Sequence, residues 1–508
     1  EGIDWEWETF PEFLDAIERK EFVMDLGFMI GHGPVRSYVM GYDRCQNQVD
    51  ASKDEINQMS EIVEKAINAG ALGFSTSRTI LHRDVHGVYV PGTEASSEEM
   101  KELAFAVDRA GEGTLEIVSD WLDQEIEMSW MKEYVEKSDC GLTVLQTNGD
   151  SVKTILYCEE QFLKGKNVRP QFPGRNVGLM FGLESSLHPF IGHPSYKEIS
   201  HLPLNERLSI MRDPAFKQKI LNESPSFRED LQKAAKEQKS NKTKEEIKAE
   251  AETGKKIISN YETQFILSDP PNYEPTREDS IAYLAELRNQ SEEEVIYDEL
   301  IKDDGKSLIY ACFTPYEKYK LKFVESFYKL KSSVAGGSDG GAHCGLICDA
   351  SMPTTNLSHW ARDRSAGNKI PIELIIRKQT KDTAETYGLF DRGEIKTGMI
   401  ADINIIDFEK LNVSSPKMIF DLPKGGKRLV QESFGYLATI KSGELVYENG
   451  QATGTLPGQV IRGKQTSEAK DTKEKISFYD RTVRLFAVKL LRLFWAARNK
   501  PVKSTVIS

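Results

Sequence analysis

Apolar residues follow two spacings along the chain, one typical of buried strands and the other typical of amphipathic helices. The strand-like segments are short apolar runs at residues 23–31, 71–74, 114–119, 141–146 and 333–336. Between them, residues 54–69 and 98–110 repeat apolar side chains at helical spacing, and Ser52 is placed to cap the first of these helices. Strands that alternate with helices pair in parallel, so this pattern predicts either a barrel or a doubly wound sheet.

Later segments depart from this alternation. Residues 197–305 interrupt it with a stretch rich in lysine and glutamate at 228–256, which predicts a charged helical insertion or, alternatively, a lid over a binding site. Residues 396–463 alternate apolar and polar positions around a hairpin turn at Ser442, so a small β domain is expected there. Residues 464–508 predict a linker and a basic amphipathic helix.

This C-terminal helix, from Asp480 to Arg498, has two chemically different faces. One face carries the basic residues Arg481, Arg484, Lys489 and Arg492, and the other carries Phe486, Leu490, Leu493 and Phe494. Such a helix suits a peripheral membrane contact or a contact with another subunit. The alternative is that it docks on the protein's own barrel.

Composition narrows the function classes. Hydrophobic residues make up 39% and charged residues 29% of the 508 residues, a mix typical of globular proteins. The formal net charge of -13 argues against nucleic acid as the main partner, because a phosphate backbone needs a basic face. The six cysteines show no framework spacing, which predicts reduced thiols and a cytoplasmic location.

The sharpest chemical motif is the sequence GGSDGGAH at residues 336–343, directly after the apolar run 333–335. In parallel α/β folds, ligands bind where the strands end, so Asp339 is well placed for catalysis. The glycines allow a ligand to approach the backbone closely. The alternative is that Asp339 only caps a turn.

Several longer motifs, in the same order along the chain, resemble the amidohydrolase superfamily, in the branch of the N-acyl-D-amino-acid deacylases and D-aminoacylases (amidohydrolase 3 type). They are HGPVRSYVMG (32–41), AGALGFSTSRTILHR (69–83), GGSDGGAHCGLICDAS (336–351), SHWARDR (358–364), RKQTKDTAETYGL (377–389), DRGEIKTGMIADINIIDF (391–408) and LPGQVIRG (456–463). The resemblance covers about residues 1–463.

The resemblance implies a fold and a reaction. The fold is a (β/α)8 TIM-like barrel with a small β-sandwich, and the barrel would occupy residues 1–395 of this chain. The reaction is hydrolysis of a carbon-nitrogen amide bond, here the deacylation of an N-acyl-D-amino acid. A divalent metal, expected to be zinc, activates water, and Asp339 corresponds to the metal-side Asp that carries the proton.

Two departures from the superfamily pattern affect the metal site. The His-x-His pair of the first barrel strand does not occur among the eight histidines, so it is expected upstream of residue 1, in a chain truncated at its N-terminus. Better-characterised members also bring a His from the fifth and sixth strands, where this chain has Gln146 and Gln171. A neutral amide is a poor transition-metal ligand. Either fewer ligands hold the metal or catalysis is lost, and the chain as given is expected to be inactive.

Four further residues are candidates near this site. His32 follows an apolar strand, and we expect it either to contact substrate or to be a hydrogen-bonded structural His. Arg78 and His82 follow the turn after residues 73–77 and are candidates for substrate binding, although a surface salt bridge is the alternative for Arg78. His343 is expected to orient Asp339. The charged cluster at 362–364 is expected to be solvated.

Three functions compete at this point. The leading hypothesis is the N-acyl-D-amino-acid deacylase, acting on a small-molecule substrate. An enzymatic alternative is a cyclic amidase that opens hydantoin- or dihydropyrimidine-like rings. The third is a non-catalytic barrel that binds a ligand or partner, which Gln146 and Gln171 favour and the Asp339 motif opposes.

Overall fold

A computed structural model describes residues 4–84, 88–121, 123–147, 151–225, 258–466 and 476–498. The charged stretch 228–256 lies outside these residues, as does His86. The strands are β1 (Leu26–Gly27), β2 (Ile30–Gly31), β3 (Gly73–Arg78), β4 (Thr114–Ser119), β5 (Gly141–Leu145), β6 (Val168–Pro173), β7 (Val177–Phe181), β8 (Gln264–Ile266), β9 (Ile309–Thr314), β10 (Val334–Gly336), β11 (Ile403–Ile406), β12 (Asn412–Val413), β13 (Lys417–Leu422), β14 (Gly426–Val430), β15 (Ser433–Phe434), β16 (Tyr436–Lys441), β17 (Glu444–Glu448), β18 (Gln451–Ala452) and β19 (Val460–Ile461).

The α-helices in the same residues follow or separate these strands. They are α1 (Phe10–Glu18), α2 (His32–Met40), α3 (Tyr42–Gln46), α4 (Lys53–Asn68), α5 (Ser97–Arg109), α6 (Gln124–Lys137), α7 (Val152–Leu163), α8 (Pro194–Ile199), α9 (Leu204–Met211), α10 (Pro214–Leu221), α11 (Ile281–Arg288), α12 (Glu292–Leu300), α13 (Lys322–Tyr328), α14 (Met352–Thr355), α15 (Ile372–Gln379), α16 (Lys381–Thr386) and α17 (Phe478–Arg498). A π-helix, Asn356–Asp363, continues α14.

In the described part of the chain, six strands form one parallel sheet in the order β10-β6-β5-β4-β3-β2. The order follows the chain in one direction, whereas a doubly wound sheet reverses direction at a switch point. The predicted α/β fold with parallel pairing is confirmed, and the strand order is that of a barrel wall. Within the described residues β2 and β10 are the two edges of this sheet, so closure into an eight-stranded barrel stays a prediction.

Alternation along β4 determines which side chains face the helices. Leu115 and Ile117 are fully buried in the core that α4, α5 and α6 share with the sheet, where they meet Val63, Met100 and other apolar residues. Because successive side chains on a strand point to opposite faces, Glu116 lies on the other face of the sheet. The candidate active site lies on this second face of the sheet.

The predicted cap of the first long helix is confirmed. The hydroxyl of Ser52 accepts a hydrogen bond from the backbone N–H of Glu55, and the Glu55 carboxylate accepts one from the backbone N–H of Ser52. This reciprocal pair satisfies two backbone donors at the start of α4 that would otherwise lack partners.

Two further groups of strands accompany the parallel sheet. In the first, β7 and β8 pair antiparallel with β9, so the interruption at 197–305 contains a strand as well as helices α9 to α12. In the second, β11, β16, β17 and β18 form an antiparallel sheet in which β16 and β17 are joined by the predicted turn at Ser442. Strands β12–β15 and β13–β14 form separate pairs in the described residues, and the β-sandwich stays a prediction.

The C-terminal helix α17 packs on α7 with its basic side toward the protein. Arg492 forms an ion pair with Glu160 of α7, and Val488 is buried. The exposed side of α17 instead carries large apolar residues at spacings of three and four, namely Tyr479, Val483, Phe486, Leu490 and Leu493. The side that docks on the protein's own helices therefore combines Arg492 with the apolar Val488. The predicted membrane or subunit contact stays a prediction, and no described helix is long and apolar enough to cross a membrane.

A buried ionic network fixes the segment after the π-helix. Arg364, predicted as part of a solvated cluster, is instead 3% exposed, because its guanidinium donates to Glu274 at 3.0 and 3.1 Å and to Glu325 at 2.9 Å. His359 lies 2.9 Å from the same Glu274 carboxylate. Burial alone would raise the pKa of Glu274, but hydrogen bonds from His359, Arg364 and the backbone N–H of Leu321 lower it to about 2.

This lowered pKa predicts how the stability depends on pH. The Glu274 carboxylate stabilises the fold above its ordinary pKa of 4.5, and this contribution is lost as the pH falls from there toward 2. We expect Glu274→Gln to lower the free energy of unfolding at pH 7 by about 3 kcal/mol, with the difference from wild type shrinking below pH 4.5. Urea unfolding between pH 3.5 and 7 measures it.

Glu286→Gln is the matched control, because Glu286 is an exposed carboxylate paired with the exposed Arg277. It should change the free energy of unfolding by less than about 1 kcal/mol at any pH in this range. A loss in Glu274→Gln that stayed constant down to pH 3.5 would contradict the proposed charge dependence.

Candidate active site

The residues between β10 and α14 form a loop that carries Asp339 and His343. Asp339 has a φ of 42° and His343 a φ of 50°, both in the left-handed region. The carbonyl of Asp339 accepts from the backbone N–H of Ala342, and that of His343 accepts from Leu346. These two turns leave both side chains exposed where β10 ends.

The start of this loop depends on the absence of a side chain at residue 336. A Cβ at Gly336 would lie 2.6 Å from Oε1 of Gln171. Val334 and Gly336 pair with Gln171 and Pro173 of β6, so the backbone of β10 lies directly beside the Gln171 side chain. A methyl group at residue 336 would therefore force the Gln171 amide to shift.

A hydrogen-bonded triad lies on the same face of the sheet. The Gln171 amide donates to Glu116 at 3.3 Å and to the hydroxyl of Tyr387 at 3.1 Å, and that hydroxyl donates to the other oxygen of Glu116 at 2.9 Å. Burial raises the pKa of Glu116, its bonds to Tyr387 and Gln171 lower it, and the negative charge of Asp339 raises it further; the net direction is upward. Asp339 thus acts electrostatically on Glu116.

His82 joins Asp339 and His343 from the loop after β3. Its Nδ1 lies 2.6 Å from the Ser77 hydroxyl, and its ring centroid is 6.1 Å from that of His343. Burial lowers the pKa of His82, as does the neighbouring His343, whereas Asp339 and Asp120 act in the opposite direction. The structure therefore brings together three of the predicted residues, His82, Asp339 and His343.

His32 is placed in a different environment. It is 2% exposed, with Nδ1 2.9 Å from the Thr76 hydroxyl and Nε2 2.9 Å from Glu99, which also binds Arg36. Both ring nitrogens are thus engaged inside the protein. These contacts favour the structural alternative for His32.

Arg78 also has internal partners. Its guanidinium donates to Glu127 at 2.7 Å and to the carbonyl of Ala95 at 2.9 Å. The pair with Glu127 lies largely out of solvent. The salt-bridge alternative for Arg78 is supported by this geometry, although the pair is more buried than a surface bridge.

Glu116 was missed in the sequence, although a signal existed. It is a lone carboxylate between two apolar residues, Leu115 and Ile117, in a strand with alternating burial. A charged side chain on the less buried face of such a strand indicates that this face borders a polar site and does not pack into an apolar core. Tyr387 carried no comparable signal, since it joins Glu116 only through the tertiary fold.

The described donor set does not fit a metal centre. No group of three or more His, Cys, Asp or Glu side chains in the described ranges is placed to hold a metal ion. Glu116 is engaged with Tyr387 and Gln171. Gln146, just after β5, and Gln171, within β6, offer only neutral amides, and Oε1 of Gln146 is buried without a hydrogen-bond partner in the structure. The zinc predicted from the sequence stays a prediction.

The model of the amidohydrolase family matches residues 325–447, which include Asp339, His343 and Tyr387. This segment is therefore similar to the amidohydrolase family. A D-aminoacylase of Alcaligenes xylosoxydans xylosoxydans is 30% identical over 103 residues, or 20% of this chain and 19% of that protein. The matched region thus spans about a fifth of this curated relative. The resemblance to the D-aminoacylase branch is confirmed.

Two solved structures of D-aminoacylase are similar in fold to this chain. One, described for the role of its binuclear metal centre, has a TM-score of 0.51 and 18% sequence identity. The other, described as defining a novel subset of amidohydrolases, has a TM-score of 0.50 and 17% identity. Each match covers 89% of this chain and 75% of the other. At this level of identity the likeness concerns the fold alone.

The contact at Gly336 generates a prediction about the site. We expect Gly336→Ala to lower the free energy of unfolding by about 1–3 kcal/mol, since the new methyl group overlaps the Gln171 amide. Gly340→Ala is the control in the same loop, because its Cβ would meet only Ala350 at 3.7 Å. Chemical denaturation of both variants measures the difference.

A second change tests the cause. If the clash with Gln171 is responsible, Gly336→Ala should cost less in a Gln171→Ala background than in wild type. An equal cost in both backgrounds would show that the backbone, rather than the Gln171 side chain, excludes a methyl group at residue 336.

Proposed function

We propose that this protein is an amidohydrolase that cleaves the amide bond of a small molecule, and that its substrates are N-acyl-D-amino acids. The observation that carries the proposal is Asp339, which lies in the family-matched segment on an exposed turn where β10 ends. The D-aminoacylase relative supports the substrate class.

In this proposal Asp339 is the proton carrier. Its carboxylate accepts a proton from the attacking water and donates it to the amine that leaves when the carbon-nitrogen bond breaks. The left-handed turn leaves this carboxylate exposed just after the end of β10, where a substrate can reach it.

His82 and His343 have a supporting role in the same proposal. Their ring centroids lie 6.1 Å apart, and the charge of Asp339 acts on His82. An imidazole N–H there donates a hydrogen bond to the carbonyl oxygen as its negative charge develops. The lowered pKa of His82 favours its neutral form, which still has one N–H donor.

A second candidate function is ligand binding without catalysis. Two observations favour it: the absence of a metal-ligand group in the described residues, and the triad in which Gln171 is bonded to Glu116 and Tyr387. A binding protein on this scaffold would keep the exposed Asp339 turn and recognise the same acylated amino acids without turning them over.

We expect Asp339→Asn in the natural gene product to lower kcat on N-acetyl-D-amino acids by about 10²-fold or more. Folding should be unchanged, because Asn is similar in shape and adopts left-handed backbone readily. Asp363→Asn is the control, as Asp363 is an exposed carboxylate of the same family segment. Amine release from D- and L-substrates, with divalent metal added and omitted, gives the rates.

The outcomes separate the candidates. Hydrolysis of D-substrates that is lost in Asp339→Asn supports the deacylase, and normal turnover in that variant shows that Asp339 is not the proton carrier. Saturable binding of N-acetyl-D-amino acids without turnover favours the second candidate. Opening of hydantoin or dihydrouracil rings in place of linear amides would assign a cyclic amidase.

A further inference from the structure

A cavity of about 220 Å³ lies outside the site around Asp339. Its walls come from the segment after β7, from α8 and α9, and from the β13–β14 hairpin. The polar residues that line it are Glu184, Ser185, His188, Tyr196, Ser200, Arg207 and Lys427. A cavity of this size has room for several water molecules or one small ligand, since water takes about 30 Å³ in the liquid.

His188 presents an unused donor at this cavity. It is 1% exposed, and its Nδ1 accepts a hydrogen bond from the backbone N–H of Phe190 at 3.3 Å. Burial lowers the pKa of His188 to about 3, as do the charges of Arg207, His193 and Lys427, so the ring is neutral near pH 7. In a neutral ring whose Nδ1 is an acceptor, Nε2 carries the proton. This Nε2 is buried and has no partner in the structure.

Two other residues that line the cavity also have a buried polar group without a hydrogen-bond partner. The hydroxyl of the buried Ser185 and Nε of Arg207 are both buried without a hydrogen-bond partner. Arg207 is held in place by its Nη1, which donates to the carbonyl of Leu183 at 2.8 Å and to the Tyr196 hydroxyl at 2.6 Å. A buried donor without an acceptor costs about 1–3 kcal/mol of stability. Three such donors around one cavity therefore favour a single ligand that accepts hydrogen bonds from all of them.

The charge at the cavity is positive. Lys427 donates from Nζ to the backbone carbonyl of Glu184 at 2.8 Å, and burial together with the nearby Arg207 lowers its pKa. Glu184 is the acidic residue among those lining the cavity, and its charge opposes that effect on Lys427. Two cations with one carboxylate leave an excess of positive charge beside unpartnered donors.

We propose that this cavity binds a small anion, a carboxylate or a phosphate group, which accepts from His188 Nε2–H, the Ser185 hydroxyl and Arg207 and neutralises the charge of Lys427. Unpartnered donors and cations complement an anion, which has only acceptors, and hydrogen bonds to a charged acceptor are the strong ones. The site is independent of the hydrolase proposal, because it includes none of the residues that surround Asp339.

The cavity is tied structurally to the loop of Asp339. The carbonyls of Cys344 and Gly345, just after His343, accept from the backbone N–H groups of Leu429 and Ser186 at 2.7 and 2.8 Å. Lys427 and Ser185, which line the cavity, are close neighbours of these two donors in the chain. An anion that orders the cavity wall therefore also orders the far end of the candidate active-site loop.

Titration of the full chain with sodium acetate and with sodium phosphate tests the proposal, against sodium chloride at equal ionic strength. Isothermal calorimetry should show saturable binding, and the anion that binds should raise the Tm. Binding of acetate alone identifies a carboxylate ligand, and binding of phosphate alone identifies a phosphate ligand. If neither binds beyond the chloride control, the proposal is wrong.

Two variants show whether the binding occurs in this cavity. Lys427→Met should weaken it at least tenfold, while Lys417→Met, an exposed lysine on the other strand of the hairpin, should bind like wild type. Asp339→Asn should also bind like wild type. Unchanged binding in Lys427→Met would overturn the assignment.

Ser185→Ala gives a test with opposite signs for two measurements. It removes a buried hydroxyl that lacks a partner, so the Tm of the anion-free protein should stay equal or rise. The same change removes a donor to the anion, so binding should weaken several-fold. A lowered Tm together with unchanged anion affinity would mean that the hydroxyl has a purely structural role.

Discussion

The pairing of β10 with β6 is the contact on which the candidate site depends. It joins two segments that are separated along the chain by the whole antiparallel β7–β9 unit and its helices. Because Gly336 has no side chain, the β10 backbone can lie against the Gln171 amide. That amide in turn reaches Glu116 on β4 and Tyr387 after α16. One close approach therefore positions the Asp339 loop relative to three other parts of the fold.

Local spacing was sufficient to predict the elements that build the sheet. The apolar runs of β3, β4, β5 and β10 and the cap at Ser52 depend on neighbours within a few residues, so the sequence alone displays them. The burial of Arg364, in contrast, could not be predicted from local spacing. Its burial depends on Glu274 and Glu325, which are 90 and 39 residues away, and no local pattern distinguishes it from the half-buried Arg362 and the exposed Asp363 beside it.

Some features of the candidate site could likewise be predicted from local sequence, and others depend on distant partners. Asp339 could be predicted because a glycine-rich turn after a strand has a recognisable sequence. The positions of His32 and Arg78 could not, since each depends on an acid, Glu99 or Glu127, contributed by another helix. The cavity at His188 left no trace in the sequence, because Lys427 reaches it from a distant hairpin.

Gln171 is the residue at which the two candidate functions diverge. In place of the imidazole expected there, a neutral amide uses its donors on Glu116 and Tyr387. It therefore adds no charge beside Glu116, and the negative charge of Asp339 adds to the effect of burial in raising the pKa of Glu116. The chemical behaviour of the site therefore depends on its carboxylates together with His82 and His343, since the neutral Gln171 amide contributes hydrogen bonds but no charge.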